Sequence, residues 1–98
     1  MRKDRVLISN GDGEVWMNYY AERGWWLVHS DIKSWSFRKY KEYLKLFGAI
    51  LNQLRQEGIT TLYAIPRQPS DQKWEELFGF KQIGWLNEYP VMRLEYGN

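Results

Sequence analysis

Phe37, Tyr40, Leu44, Phe47, Leu51 and Leu54 recur at alternating intervals of three and four residues, the spacing that lines up side chains along one stripe of an α-helix. Ser34 and Ser36 each offer an oxygen that can cap the start of such a helix. Gly58 stands where a left-handed residue would end it. The pattern predicts a helix running to about Glu57 with the six-residue stripe as its buried face. In a chain of 98 residues a helix of this length must lay its stripe against other elements, and the remaining sequence supplies mostly strands.

Arg5–Ser9 is a short apolar run followed by Asn10-Gly11-Asp12-Gly13, a strong hairpin turn signal. Glu14–Tyr20 alternates Val15, Met17 and Tyr19 with Trp16, Asn18 and Tyr20, as a strand does. Arg23-Gly24 then turns the chain into Trp25–Ser30, so the three segments read as an antiparallel meander. Beyond Gly58, Thr60–Ile65 is rich in strand formers, and Pro66 and Pro69 bracket a loop. Ser70 reads as the cap of a second helix, with Asp71 in its first turn. Trp74, Leu77 and Phe78 supply its buried face, and Gly79 stops it. Lys81–Leu86 and Val91–Tyr96 are the last two strands, joined by Asn87-Glu88-Tyr89-Pro90. The expected class is α+β: a mostly antiparallel sheet of about six strands with one long and one short helix, ordered β-β-β-α-β-α-β-β in a single domain, residues 1–98.

Six Trp, seven Tyr and four Phe make up 17% of the chain. Each ring buries roughly 150–250 Å² when enclosed, so this many suit a small core and leave some rings for a pocket or an interface. Net charge is +2, less than the strong basic bias of a dedicated nucleic-acid binder. Cysteine is absent, which excludes disulfides and thiolate metal sites. No apolar run approaches the roughly 18 residues that span a bilayer, and Met1-Arg-Lys-Asp-Arg leads into a strand, so a cytoplasmic protein is expected.

From about Val6 onward this order resembles the second half of the GCN5-related N-acetyltransferase fold. Arg55-Gln56-Glu57-Gly58-Ile59 followed by Thr61-Leu62-Tyr63 resembles the end of that family's long helix and its next strand. Trp74-Glu75-Glu76-Leu77-Phe78-Gly79-Phe80 resembles its short helix and Gly-Phe stop. The resemblance implies a truncated member that lacks the family's first strand and two helices. Counting back from Gly58 sets the family's phosphate loop at Arg38-Lys39-Tyr40-Lys41-Glu42-Tyr43. Arg38 stands at the motif's Gln or Arg, while Lys39, Lys41 and Tyr43 replace the glycines that let backbone N–H groups approach a pyrophosphate. Gln68 falls near the family's loop Asn and Glu75 near its acid Tyr. A degenerate loop implies no cofactor and no catalytic residues. The resemblance further implies a phage-encoded protein binding a host or virion protein.

Three function classes follow. The first is a non-catalytic protein-interaction module, contacting its partner or a second copy through Trp16, Trp25, Trp26, Lys33, Trp35, Arg38, Lys41 and Lys45. Trp and Tyr concentrate at interface hot spots, and the cations would steer an acidic partner. The second is an N-acyltransferase using acetyl-CoA through an atypical loop. The third is a nucleic-acid-associated protein using the stripe Arg38, Lys41, Lys45, Asn52 and Arg55 with Trp35, Tyr40 and Tyr43. His29, the only histidine, shares a strand face with Asp31 and is either a general base or a surface residue. Asn10–Gly13 lacks the carboxylates of a calcium loop, so no metal is expected.

Overall fold

The computed structural model describes residues 3–33 and 35–97. Six strands and two helices follow one another as β1 (Arg5–Asn10), β2 (Gly13–Tyr20), β3 (Trp25–Ile32), α1 (Phe37–Gln56), β4 (Thr61–Ala64), α2 (Pro69–Leu77), β5 (Lys81–Leu86) and β6 (Tyr89–Glu95). The expected α+β class and element order hold. The strands form one sheet in the order β1-β2-β3-β4-β6-β5. Every neighbouring pair is antiparallel except β3 and β4, which run parallel and are joined through α1. That parallel pairing rests on a single partner pair, Leu27 with Tyr63.

The hairpin between β1 and β2 turns at Gly11-Asp12, and the Asp12 amide donates to Asn10 Oδ1 at 2.9 Å. A side chain on Gly13 would collide with the Asp31 carbonyl oxygen of β3, so only glycine fits where the strands come together.

Ser36 is the N-cap of α1, its hydroxyl accepting from the Lys39 amide at 3.1 Å; the alternative cap, Ser34, lies outside the described residues. Both helices end in the same way. At the end of α1 the Gly58 amide bonds to the Arg55 carbonyl and the Ile59 amide to Leu54, with Gly58 at φ +87°. At the end of α2 the Gly79 amide bonds to Glu76 and the Phe80 amide to Glu75, with Gly79 at φ +102°. Each is a Schellman motif, which returns the chain toward the sheet through an apolar residue. Ile59 packs against the core and Phe80 is part of it. The start of α2 corrects the sequence reading. Gln68, not Ser70, is its N-cap, and Pro69 opens it, because proline's missing N–H costs nothing in the first turn.

The core lies between one face of the sheet and the two helices. Met17, Leu62, Ala64 and Met92 of the strands meet Phe47 and Leu54 of α1 and Phe80 after α2. The buried side of α1 is rotated from the expected stripe. Tyr43, Phe47 and Leu54 are buried, and Ile50 and Leu51 pack beside them. Phe37 is 72% exposed and Leu44 43%. The first two turns of α1 direct Tyr43 and Lys39 to Asn10 and Asp12 of the β1–β2 hairpin and Tyr40 to α2, its hydroxyl donating to the Leu77 carbonyl at 3.1 Å, which leaves Phe37 and Leu44 turned outward. Leu77, expected on the buried side of α2, is likewise exposed, while Trp74 and Phe78 point inward.

Candidate functional site

Residues opposite each other on an antiparallel ladder share a face, and successive residues alternate. Between β2 and β3 the pairs Val15–Ser30, Met17–Val28 and Tyr19–Trp26 therefore face the helices, and Trp16–His29, Asn18–Leu27 and Tyr20–Trp25 face away. Tyr63, paired with Leu27, extends the second set onto β4, and Arg93 extends it onto β6. Among the described residues no helix covers this second face.

Aromatic rings cover it instead. Trp25 and Tyr63 stack with centroids 4.3 Å apart and planes 12° from parallel. Tyr20 meets Trp25 edge-on at 6.3 Å, and the Arg23 guanidinium lies 5.2 Å over the Trp25 ring. Further along, Trp16 stacks on His29 at 5.5 Å, with the Lys3 ammonium 4.6 Å above its ring. The Trp16 Nε1–H is enclosed without an acceptor among the described residues. His29 Nε2 is within hydrogen-bond distance of Asn18 Oδ1. Burial holds the His29 pKa below its ordinary value, and the Arg67 cation lowers it further, so the ring is neutral at pH 7. Asp31, which sequence periodicity places on the same face, is exposed at the strand end.

On the helix side lies a cavity of about 60 Å³, bordered by Val28, Ser30, Ala64, Trp35, Trp74 and Glu75 among others. That volume has room for several water molecules or a small ligand fragment. Trp35 closes one end, stacked on Trp74 at 4.2 Å and edge-on to Tyr43 at 5.5 Å. Glu75 is the one acid on its wall. Its Oε1 is enclosed and has no hydrogen-bond partner among the described residues. Burial, reinforced by the neighbouring charge of Asp71, pushes its pKa up to about 8, so the carboxyl is protonated at neutral pH.

The structure divides the residues expected to form one contact surface. Trp16 and Trp25 lie on the helix-free face. Trp26 lies on the helix face beside the core, 5.1 Å from Tyr19. Trp35 belongs to the cavity. Lys33, Arg38, Lys41 and Lys45 are exposed, the last three on the outer side of α1, across the sheet from Trp16 and Trp25. Sequence reasoning did not include Tyr63 or Tyr20 in the surface. Period-two alternation offers both, but only the β3–β4 pairing brings Tyr63 onto Trp25.

The stretch matched to a phosphate loop, Arg38–Tyr43, is not a loop. It forms the first two turns of α1. Tyr43 is buried with its hydroxyl donating to Asn10 Oδ1 at 3.2 Å, and Lys39 pairs with Asp12 at 3.1 Å. Ser36 already occupies the Lys39 amide, and Trp35 fills the space between the helices. These residues do not fit a pyrophosphate cradle, which needs bare, outward-facing N–H groups. Among the described residues no group of acids and histidines is arranged to hold a metal ion, and no helix is long and apolar enough to cross a membrane. Comparison with family models, curated proteins and solved structures finds no match for this chain.

Proposed function

We propose that this chain is a non-catalytic protein-interaction module whose contact surface is the helix-free face of the sheet. The observation that carries the reading is the row of half-exposed rings Tyr20, Trp25 and Tyr63 on a sheet face that no described helix covers. Large rings held rigid by their neighbours lose little conformational freedom on binding, which makes Trp and Tyr the usual energetic anchors of protein interfaces. The mutual stacking also favours protein over single-stranded nucleic acid. A base needs a free ring face, and here Trp25 is already stacked on Tyr63 with the Arg23 guanidinium over its ring. The resemblance to a trimmed acetyltransferase agrees with this, since it predicts a sheet left partly uncovered and a host or virion protein as partner in the cytoplasm.

Affinity capture from a host lysate, with sedimentation of the pure protein for self-association, tests the reading. Trp25→Ala should abolish capture or self-association and retain the fold, while Lys73→Ala, at an exposed position of α2, should retain both. Equal capture by the two variants would count against the sheet face.

One observation favours an enzyme instead. Glu75 is a protonated carboxyl on a cavity wall, and perturbed acids in cavities often serve as proton donors. Its position matches the acid of the family resembled, which makes an N-acyltransferase the rival reading. Calorimetry with acetyl-CoA separates the two. A dissociation constant at or below about 100 µM, worth roughly 5.5 kcal/mol, would overturn the non-catalytic reading.

A further inference from the structure

The positive charge of this chain is concentrated in one segment. Lys33–Lys45 holds five of the fourteen Lys and Arg and one of the twelve Asp and Glu, so the rest of the chain is net negative. Within it, Lys39 is drawn inward to Asp12, but Arg38, Lys41 and Lys45 stand on the outer side of α1. Arg38 is 90% exposed, and its ion pair with Glu42 is a loose 3.5 Å contact within the helix.

Apolar side chains lie among these cations. At 100° per residue Phe37, Lys41, Lys45 and Gly48 fall along one outward strip, with Leu44 on its shoulder toward α2, where Leu77 is also exposed. The Lys41 ammonium sits 4.9 Å over the Phe37 ring. Charge and hydrophobic surface are therefore interleaved rather than segregated, and a partner must satisfy both.

Gly48 is the second observation. It sits mid-helix on this outer side, and a Cβ added there would meet nothing within 4 Å. Glycine weakens a helix interior relative to alanine, and no contact inside the molecule requires it. With Ala49 exposed beside it, it leaves a shallow saddle one turn beyond Leu44 and Lys45. Small residues of this kind let a second helix backbone approach closely.

We propose that the outer side of α1 docks an acidic amphipathic helix of a partner protein. The partner's apolar stripe meets Phe37, Leu44 and Leu77, its carboxylates meet Arg38, Lys41 and Lys45, and its backbone crosses at Gly48. This surface lies across the sheet from the aromatic face, so the inference stands apart from the proposed function.

The probe is a synthetic, fluorescently labelled peptide of about 20 residues, with Leu on one helical stripe and Glu on the other positions. Controls are the same peptide with Lys for Glu, vesicles of phosphatidylcholine and phosphatidylserine, and a thymidine oligonucleotide. The acidic peptide should bind, and the basic one should not. Lys41→Glu together with Lys45→Glu should weaken binding by roughly tenfold or more and flatten its salt dependence. Phe37→Ala should weaken it by roughly tenfold. Gly48→Ala should raise the thermal midpoint yet weaken binding by about fivefold or more, because the added methyl fits the free helix and obstructs the docked one. Trp25→Ala should leave peptide affinity unchanged. Tighter binding to vesicles or oligonucleotide, equal affinity for the two peptides, loss of binding in Trp25→Ala, or unchanged binding in both Phe37→Ala and Gly48→Ala would each overturn the proposal.

Discussion

The two faces of the sheet are made from alternate residues of the same strands, and they are closed off from water in different ways. On one face Met17, Leu62 and Met92 are wholly inaccessible, pressed under Phe47 and Leu54 of α1. On the other Trp16, Tyr20, Trp25 and Tyr63 stay partly exposed and lean on one another and on Lys3 and Arg23. A helix removes a continuous strip of apolar surface from water, and most of the stability comes from that burial. A row of stacked rings removes less area per side chain but keeps a firm, partly apolar surface available to a partner. On the proposed function, stability and recognition are carried by opposite sides of one sheet.

The strongest way to break this comparison is to attack the covered face. Phe47→Ala or Leu54→Ala should cost on the order of 3–5 kcal/mol, since each leaves a cavity between helix and sheet. Against a total of about 5–15 kcal/mol, either change should lower the thermal midpoint steeply. A midpoint within a few degrees of wild type would mean that α1 is not what holds the core.

Glu75 gives the next largest effect, and its sign depends on pH. The ordinary carboxyl pKa of 4.5 applies to the unfolded chain, and the folded value is about 8. Between those values the folded chain keeps a proton that the unfolded chain has lost, so stability falls as pH rises. The slope is about 1.4 kcal/mol per pH unit from this group. Glu75→Gln removes the titration. Denaturant curves of the two proteins should coincide near pH 4, and the variant should become progressively the more stable up to about pH 8. Parallel pH profiles would refute the buried, protonated carboxyl.

The aromatic face should respond more mildly in stability and more strongly in binding. Trp25→Ala removes a stacked pair and half-buried area, a loss of about 1–2 kcal/mol, while partner capture disappears. If it unfolded the protein, the helix-free face would belong to the core and the contrast would collapse. Phe37→Ala is the smallest perturbation. It should change stability by less than about 0.5 kcal/mol, despite removing a whole phenyl ring, because that ring faces solvent.

The contrast between Phe37 and Leu54 shows how far sequence periodicity reaches. Both belong to one regular repeat, and that repeat was enough to establish the long helix, with Gly58 as its stop. It could not establish how the helix is rotated about its axis against the sheet. Burial needs a surface opposite each side chain, and α1 turns Tyr43, Phe47 and Leu54 inward while Phe37 and Leu44 face outward. Similarly, alternation in β2 and β3 separated Trp16 and Trp25 from Trp26 in principle, but the sequence does not say that both helices share one face.

What the sequence by itself determined is local. Amphipathic spacing, the Asn-Gly-Asp-Gly turn, the two glycine stops and Pro69 set the number, kind and order of the elements, because these depend on backbone geometry within a few residues. What only the tertiary structure decided is which of these surfaces meet. The lone Leu27–Tyr63 pairing brings Tyr63 onto Trp25, and the packing of both helices on β3 and β4 encloses the cavity walled by Glu75. Asp71, one turn earlier on α2, adds to the shift of Glu75, but its larger cause is burial, which no neighbouring residue in the sequence announces. Desolvation is a property of the assembled fold, and so is the uncovered face.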